Sequence, residues 1–340
     1  MHAKLVSFVL SKSSRLHKGE MVETRGLQSA PHYFEASVPH QYIVGEEKMT
    51  VGGEEVVFLV KTYPPDILLV EAMLPVADVF SEKTFDVRKA LVAACQKVAE
   101  KRGGDFNLSE EYSLVVVFDY KDGLNQLVHE HASRIAGFLK SEKLPLDETE
   151  IARTLDLQIK YGKNDLVIIG WDGAFLFDPN GDYQGTKELF QIANLQLLRY
   201  RTLDQDLSER LQKVSKLIKH PGTKHAVWST KELARAFEEV IAVRAQSLAQ
   251  FEVIDREIKL IGDWYSARLY EMLAKMVRMD EWRKSVKDKL DALEDVYAIV
   301  SQNFSMTRAQ KLEYIQILLF FILQAGWFLL IFFELKYFLG

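Results

Sequence analysis

His129-Glu130-His131 is the densest run of metal-ligating side chains in the sequence. On a helix, residues two apart point in different directions, whereas a helical zinc site needs histidines four apart. The triplet therefore reads as exposed helix residues, and no metal is expected. Asp119 and Asp122 follow the β-rich run YSLVVVFD, where α/β enzymes often place an acid. A loop acid beside Gly123 is more simply a turn or helix-cap residue. Asp119, His129 and His131 are thus the candidates for catalysis, and none is backed by a motif. Asp178, Asn180 and Asp182 alternate like the first ligands of a calcium loop. The glycine position of such a loop holds Tyr183, however, and its twelfth position holds Leu189. Pro179-Asn180-Gly181 reads as a β-turn instead.

Cys95, the single cysteine, lies in the apolar helical pattern LVAACQKV and reads as packing. One cysteine excludes an intramolecular disulfide and any multi-thiolate metal site. The phosphate-loop, dinucleotide-binding and nucleophile-elbow signatures are all missing, so no cofactor is expected. The 43 Lys and Arg against 48 Asp and Glu give a net charge of −5. Arg199, Arg201 and Arg210 alternate with acids, and no nucleic-acid partner is expected.

The strongest signal is a location. Residues 315–333, IQILLFFILQAGWFLLIFF, carry no charge over 19 positions, and 14 of them are Leu, Ile or Phe. These 14 favour membrane insertion by about 4–8 kcal/mol, opposed mainly by Gln316 and Gln324. The length suits one helical crossing of ~20 residues. The apolar run at 5–10 is too short for a signal peptide, so a tail-anchored protein is expected. Arg308 and Lys311 before the span, against Lys336 after it, give a small charge bias that agrees with the bulk of the chain on the cytoplasmic, interior side. At 100° per residue, Gln316, Trp327 and Glu334 fall within roughly 20° of one another. They form a candidate contact face for self-association in the bilayer.

The rest of the chain must be organised around that anchor. Residues 1–30 form an N-terminal extension, in which 4–10 has strand character. Residues 31–184 form an α+β domain with a mixed or antiparallel sheet. Its expected strands are 34–44, 49–51, 55–62, 67–74, 112–119, 155–161, 166–169 and 174–177, with a turn at Gly52-Gly53. Its expected helices are 85–102 and 123–140. Residues 185–313 form a helical, coiled-coil-like stalk. It opens with a helix over 188–218, and a second apolar stripe then runs from Leu233 to Met276 in steps of three or four. A third helix starts at Asp280 and continues towards the span, because neither Gly nor Pro falls between Asp280 and Gly326. Residues 314–338 are the transmembrane helix.

Three stretches carry a resemblance: DLVIIGWDGAFLFDP from Asp165, ELFQIANLQLLRYRTLDQDL from Glu188, and IGDWYSARLYEMLAKMVRMDEWRKSVKDKLDALEDVYAIV from Ile261. With TRAQKLEYIQILLFFI from Thr307, they resemble the YagE family, also called the required-for-meiotic-nuclear-division family. The resemblance implies an α+β N-terminal domain, a helical C-terminal region and one terminal membrane helix. It implies no catalytic residues. The mid-span Gln324-Ala325-Gly326-Trp327 departs from the family's usual tail. The expectation is a membrane-anchored scaffold whose partners are the lipid bilayer, an unidentified protein and other copies of itself. The alternative is a small-molecule enzyme or ligand sensor with its site in the α+β domain.

Overall fold

The structure, a computed structural model, describes residues 1–15, 17–21, 40–120, 123–219, 235, 238, 241–242, 244–253 and 264–339. Among the described residues, nine strands form one mixed sheet. They are β1 (His2–Ser13), β2 (Glu20–Met21), β3 (Tyr42–Val51), β4 (Glu54–Tyr63), β5 (Ile67–Val76), β6 (Gly104–Phe118), β7 (Gln158–Ile159), β8 (Leu166–Ile169) and β9 (Gly173–Phe177). Their order is β2-β3-β4-β5-β1-β6-β9-β8-β7. Every pairing is antiparallel except β6 with β9.

The centre of the sheet is apolar on both faces, so its strands read as nearly continuous hydrophobic runs. In β1, Leu5 and Val9 face one core, while Val6, Phe8 and Leu10 face the other. The first core is closed by α1 (Lys83–Lys101), through Leu91, Val92, Cys95 and Val98, and by α3 (Ala132–Leu139), through Ile135, Phe138 and Leu139. The second is closed by α5 (Gln184–Lys219), through Leu189, Phe190, Ala193 and Leu198, and by α6 (Trp264–Met276), through Leu269 and Leu273. Each fully buried Leu or Phe contributes about 1.5–3 kcal/mol, so the two layers together hold the sheet.

The hairpin expected at Gly52-Gly53 joins β3 to β4. Both glycines have positive φ, +60° and +92°, the two-residue turn that suits the twist of paired strands. The strand character of 4–10 extends over His2–Ser13, and β1 lies between β5 and β6. Residues 34–39, expected as strand, lie outside the described residues. The helix expected over 123–140 is two helices, α2 (Leu124–Glu130) and α3, which meet at His131 with φ −108°. The strand expected over 155–161 is also corrected. Residues 148–155 are helix α4 (Glu148–Leu155), and only Gln158–Ile159 pair as strand. Asp147 decides this, because its carboxylate accepts the Thr149 N–H at 2.9 Å and caps the helix.

By their contacts the residues divide into two units, residues 1–205 with 250–286 and residues 206–249 with 287–340. In α5, Leu189, Ala193, Gln196, Tyr200, Leu203 and Leu207 are buried. Among the described residues, a coiled coil along the Leu233–Met276 stripe is not shown. Leu233, Phe237, Ile254, Ile258 and Ile261 lie outside the described residues. Ile241 and Leu248 are exposed, and α6 ends at Met276. Arg278 has φ +53° and separates α6 from α7 (Met279–Leu339), which continues unbroken for 61 residues.

Candidate functional site

The C-terminal part of α7 is apolar without a protein core to explain it. Leu312–Leu335 contains an 18-residue window with a mean hydropathy of 2.3, and none of the stretch is buried. At 1.5 Å per residue this stretch is about 36 Å long, enough for a hydrocarbon core of about 30 Å. A core helix of equal apolarity would be buried; here Phe320, Phe321, Leu323, Phe328 and Leu330 are all more than 60% exposed. By length and composition this is one helix able to cross a membrane. Gln316, Trp327 and Glu334 all lie in it, and all are exposed.

The second feature is a pocket of about 420 Å³ at the end of β6, lined by Asp119, Tyr120, Gln126 and Glu130 among others. Asp119 has φ +52°, a left-handed conformation held in place as its N–H donates to the Pro179 carbonyl at 3.3 Å. Its carboxylate lies 3.3 Å from His2 Nε2, with both groups exposed. Gln126 donates to Glu130 at 2.8 Å on the wall formed by α2. Neither His129 nor His131 lines this pocket. His129 is exposed, and the His131 ring stacks on Phe80 with centroids 3.8 Å apart. Asp122 lies outside the described residues. Among the described residues, no group of three or more His, Cys, Asp or Glu is placed to share a metal ion.

Other motif residues have structural partners. Asp178 accepts N–H bonds from Asn180 at 2.8 Å and Asp182 at 3.3 Å, closing the turn expected there. Cys95 is buried, and burial pushes its thiol well above the usual range, so it is an inert packing group.

Sequence reasoning missed two buried polar clusters. Glu71 on β5 accepts from Lys61 at 2.9 Å, from Lys187 at 3.2 Å and from Gln191 at 2.5 Å. Burial raises the Glu71 carboxyl, but the charges of Lys187 and Lys61 and the hydrogen bonds outweigh it and hold the group below its usual range. Nearby Glu188 is raised by its own burial, against the pull of Lys187 and Lys61. The Oε1 atom of Gln191 is buried with no hydrogen-bond partner. The visible signal was a lone acid inside ILLVEAMLPV and a lone base inside VFLVKTY. The other cluster centres on Arg88. Its guanidinium donates to the Phe138 carbonyl at 2.7 Å and the Asp172 carbonyl at 2.6 Å, and lies 4.6 Å from the centre of the Phe138 ring. Tyr112 ties the same turn from the other side, donating to Gly170 and Gly173 carbonyls at 2.8 and 2.9 Å. Both clusters fasten helix and turn to sheet.

A family model described as "Uncharacterized protein MJ0711, N-terminal domain" matches residues 9–184. The chain belongs to this family. In this chain the matched residues run from within β1 to the start of α5 and take in the rest of the sheet except β1's first residues. The MJ0711 family domain therefore carries the pocket beside Asp119 except for Met1, and the strand side of the Glu71 cluster, Glu71 and Lys61, with Lys187, Glu188 and Gln191 just beyond it. "Uncharacterized protein MJ0711" of Methanocaldococcus jannaschii is 27% identical over 259 residues, 76% of this chain and 77% of that protein. That alignment is longer than the family match, so the likeness to MJ0711 continues into the helical region. No solved structure matches the chain.

Proposed function

We propose that this MJ0711-family chain is a membrane-anchored scaffold, held in the bilayer by the C-terminal part of α7 and presenting its sheet domain on the interior side. The observation that carries the reading is the wholly exposed apolar stretch Leu312–Leu335. In water such a surface is costly and aggregation-prone, and a bilayer removes the cost. Arg308 and Lys311 on one side of the span against Lys336 on the other support the interior orientation by a small charge bias. The YagE resemblance supports the same plan, with a sheet domain, a helical region and one terminal membrane helix. Self-association through Gln316, Trp327 and Glu334 belongs to this reading. The sheet domain supports a binding role, since its buried charges are spent on holding helix to sheet.

The test is truncation. A chain ending at Met306 should move from the membrane pellet to the soluble fraction, while the full chain should resist alkaline extraction. A truncated chain that still pellets after alkaline treatment would remove the anchor from the reading.

A second reading rests on the pocket beside Asp119, whose left-handed backbone is a feature often kept at binding sites. It makes the sheet domain a small-molecule enzyme or sensor. Thermal-shift screening of the full chain in detergent, repeated with Asp119→Asn, tests it. A metabolite whose stabilisation vanishes in the variant would favour this reading over a pure scaffold.

A further inference from the structure

An aromatic cluster stands on the surface of the first unit. Tyr161, in the turn between β7 and β8, stacks on Trp264 at the start of α6, with centroids 5.7 Å apart and planes within 16°. Tyr265 meets both rings edge-on, at 5.2 Å from Tyr161 and 5.9 Å from Trp264. Tyr265 is half-buried against the core beneath α6, so it roots the cluster. The two outer rings are 67% and 62% exposed. Two large rings held together in water, with nothing described covering them, form a ready contact surface.

The surrounding charge gives the partner's chemistry. Along α6, Trp264, Arg268, Glu271 and Lys275 are exposed, and at 100° per residue they share about 60° of arc. Two of the three charged groups are basic, and neither Arg268 nor Lys275 has a described carboxylate within 4.0 Å. The Tyr161 turn adds exposed Lys163. The carboxylate nearest in sequence to that turn, Asp165, is occupied within it, accepting the Tyr161 N–H at 2.8 Å and the Gly162 N–H. The surface is therefore aromatic at one end and carries three basic groups, Arg268, Lys275 and Lys163, against the carboxylates of Glu271 and Asp165.

We propose that Tyr161 and Trp264, backed by Arg268, Lys275 and Lys163, dock onto the headgroup layer of an anionic lipid bilayer. Trp and Tyr are the residues whose rings settle at that layer, with apolar bodies and polar tips. Lysine and arginine beside them are drawn to anionic lipid headgroups. Aromatic rings with basic neighbours also suit single-stranded nucleic acid. A helix on the same chain that is long and apolar enough to cross a membrane favours lipid. To that extent the inference rests on the membrane reading above.

Five tryptophans make the test direct. Full-length chains keeping only Trp264, only Trp171 or only Trp327, with the others changed to Phe, are reconstituted into vesicles. The vesicles are phosphatidylcholine alone or phosphatidylcholine with a quarter phosphatidylglycerol, each carrying nitroxide-labelled lipids. A headgroup nitroxide should quench Trp264 far more than Trp171, and only when anionic lipid is present. Charge removal at Arg268→Gln or Lys275→Gln should each weaken the contact about fivefold. A fluorophore on Lys163→Cys, with every tryptophan kept, should repeat the result without the Trp replacements. Trp264 quenching that ignores anionic lipid, or matches Trp171, would overturn the proposal. Quenching by an oligothymidylate but not by vesicles would overturn it in favour of nucleic acid. An acyl-chain nitroxide that fails to quench Trp327 would instead sink the anchor, and Trp264 would still report its own contact with the added vesicles.

Discussion

Lys187 on α5 and Glu71 on β5 meet at 3.2 Å, 116 residues apart in sequence, in a place where both side chains are about nine-tenths buried. The pair joins the helix layer to the sheet. Breaking one side of such a pair leaves the other charge buried and unpartnered, which costs about 3–5 kcal/mol.

Glu71→Gln should therefore lower stability at neutral pH by a few kcal/mol in urea or thermal unfolding. The acid limb adds a sign. The folded-state pKa of Glu71 lies below the ordinary 4.5, so its contribution is present above that value and fades as pH falls through the folded pKa. The gap between wild type and Glu71→Gln should narrow in that acid range. A gap constant from pH 7 to pH 3 would mean that the charge of Glu71 is not what matters.

Arg88→Met keeps much of the apolar contact with Phe138 but strips the donors from two carbonyls. A loss of about 1.5–3 kcal/mol is expected. Hydrogen exchange should show the damage first in the turn before β9 and at the end of α3, the two segments that Arg88 holds together. Uniform loss of protection across the whole sheet would contradict a local fastening role.

Asp119 sits at φ +52°. Glycine adopts that conformation freely, whereas a residue with a Cβ and no local hydrogen-bonding group is disfavoured by roughly 1–2 kcal/mol. Asp119→Gly should thus be more stable than Asp119→Ala by about that amount. Equal stability of the two variants would show that the backbone relaxes out of the left-handed region.

Self-association in the bilayer can be read by disulfide trapping. Cysteine at Gln316 should cross-link to a second copy more readily than cysteine at Leu318, about 160° round the helix. Cys95 is buried and can remain in place. Equal cross-linking at both positions, or none at either, would leave the chain a monomeric anchor.

What was legible in the sequence depended on how local the deciding forces were. The hairpin at Gly52-Gly53 and the core of β6 at Tyr112–Val117 follow from turn chemistry and β-branched runs. The continuity of α7 follows from the absence of Gly and Pro up to Gly326. Helix α4 was hidden because Leu155, Leu157 and Ile159 mimic strand alternation, and the short cap at Asp147 outweighed them. The break at His131 was hidden because the residues on both sides keep helical spacing. The partners of β1 and the Glu71 cluster were illegible for another reason. Both depend on contacts between residues far apart in sequence, which periodicity within one segment cannot register. At the candidate pocket, Asp119 was identifiable by type, but its left-handed backbone and its separation from His129 and His131 were not.

The place of β1 in the sheet also sets an order of events during synthesis. Its two neighbours are β5 and β6, and β6 ends at Phe118. At ~5–20 residues per second, the ribosome needs about 5–20 s after making β1 to supply the last residue of that second neighbour. Through that interval an apolar strand has at least one edge unpaired, the condition in which strands add to the wrong chain. The nascent protein therefore has a use for a chaperone while β1 waits for β6, before its helical region exists.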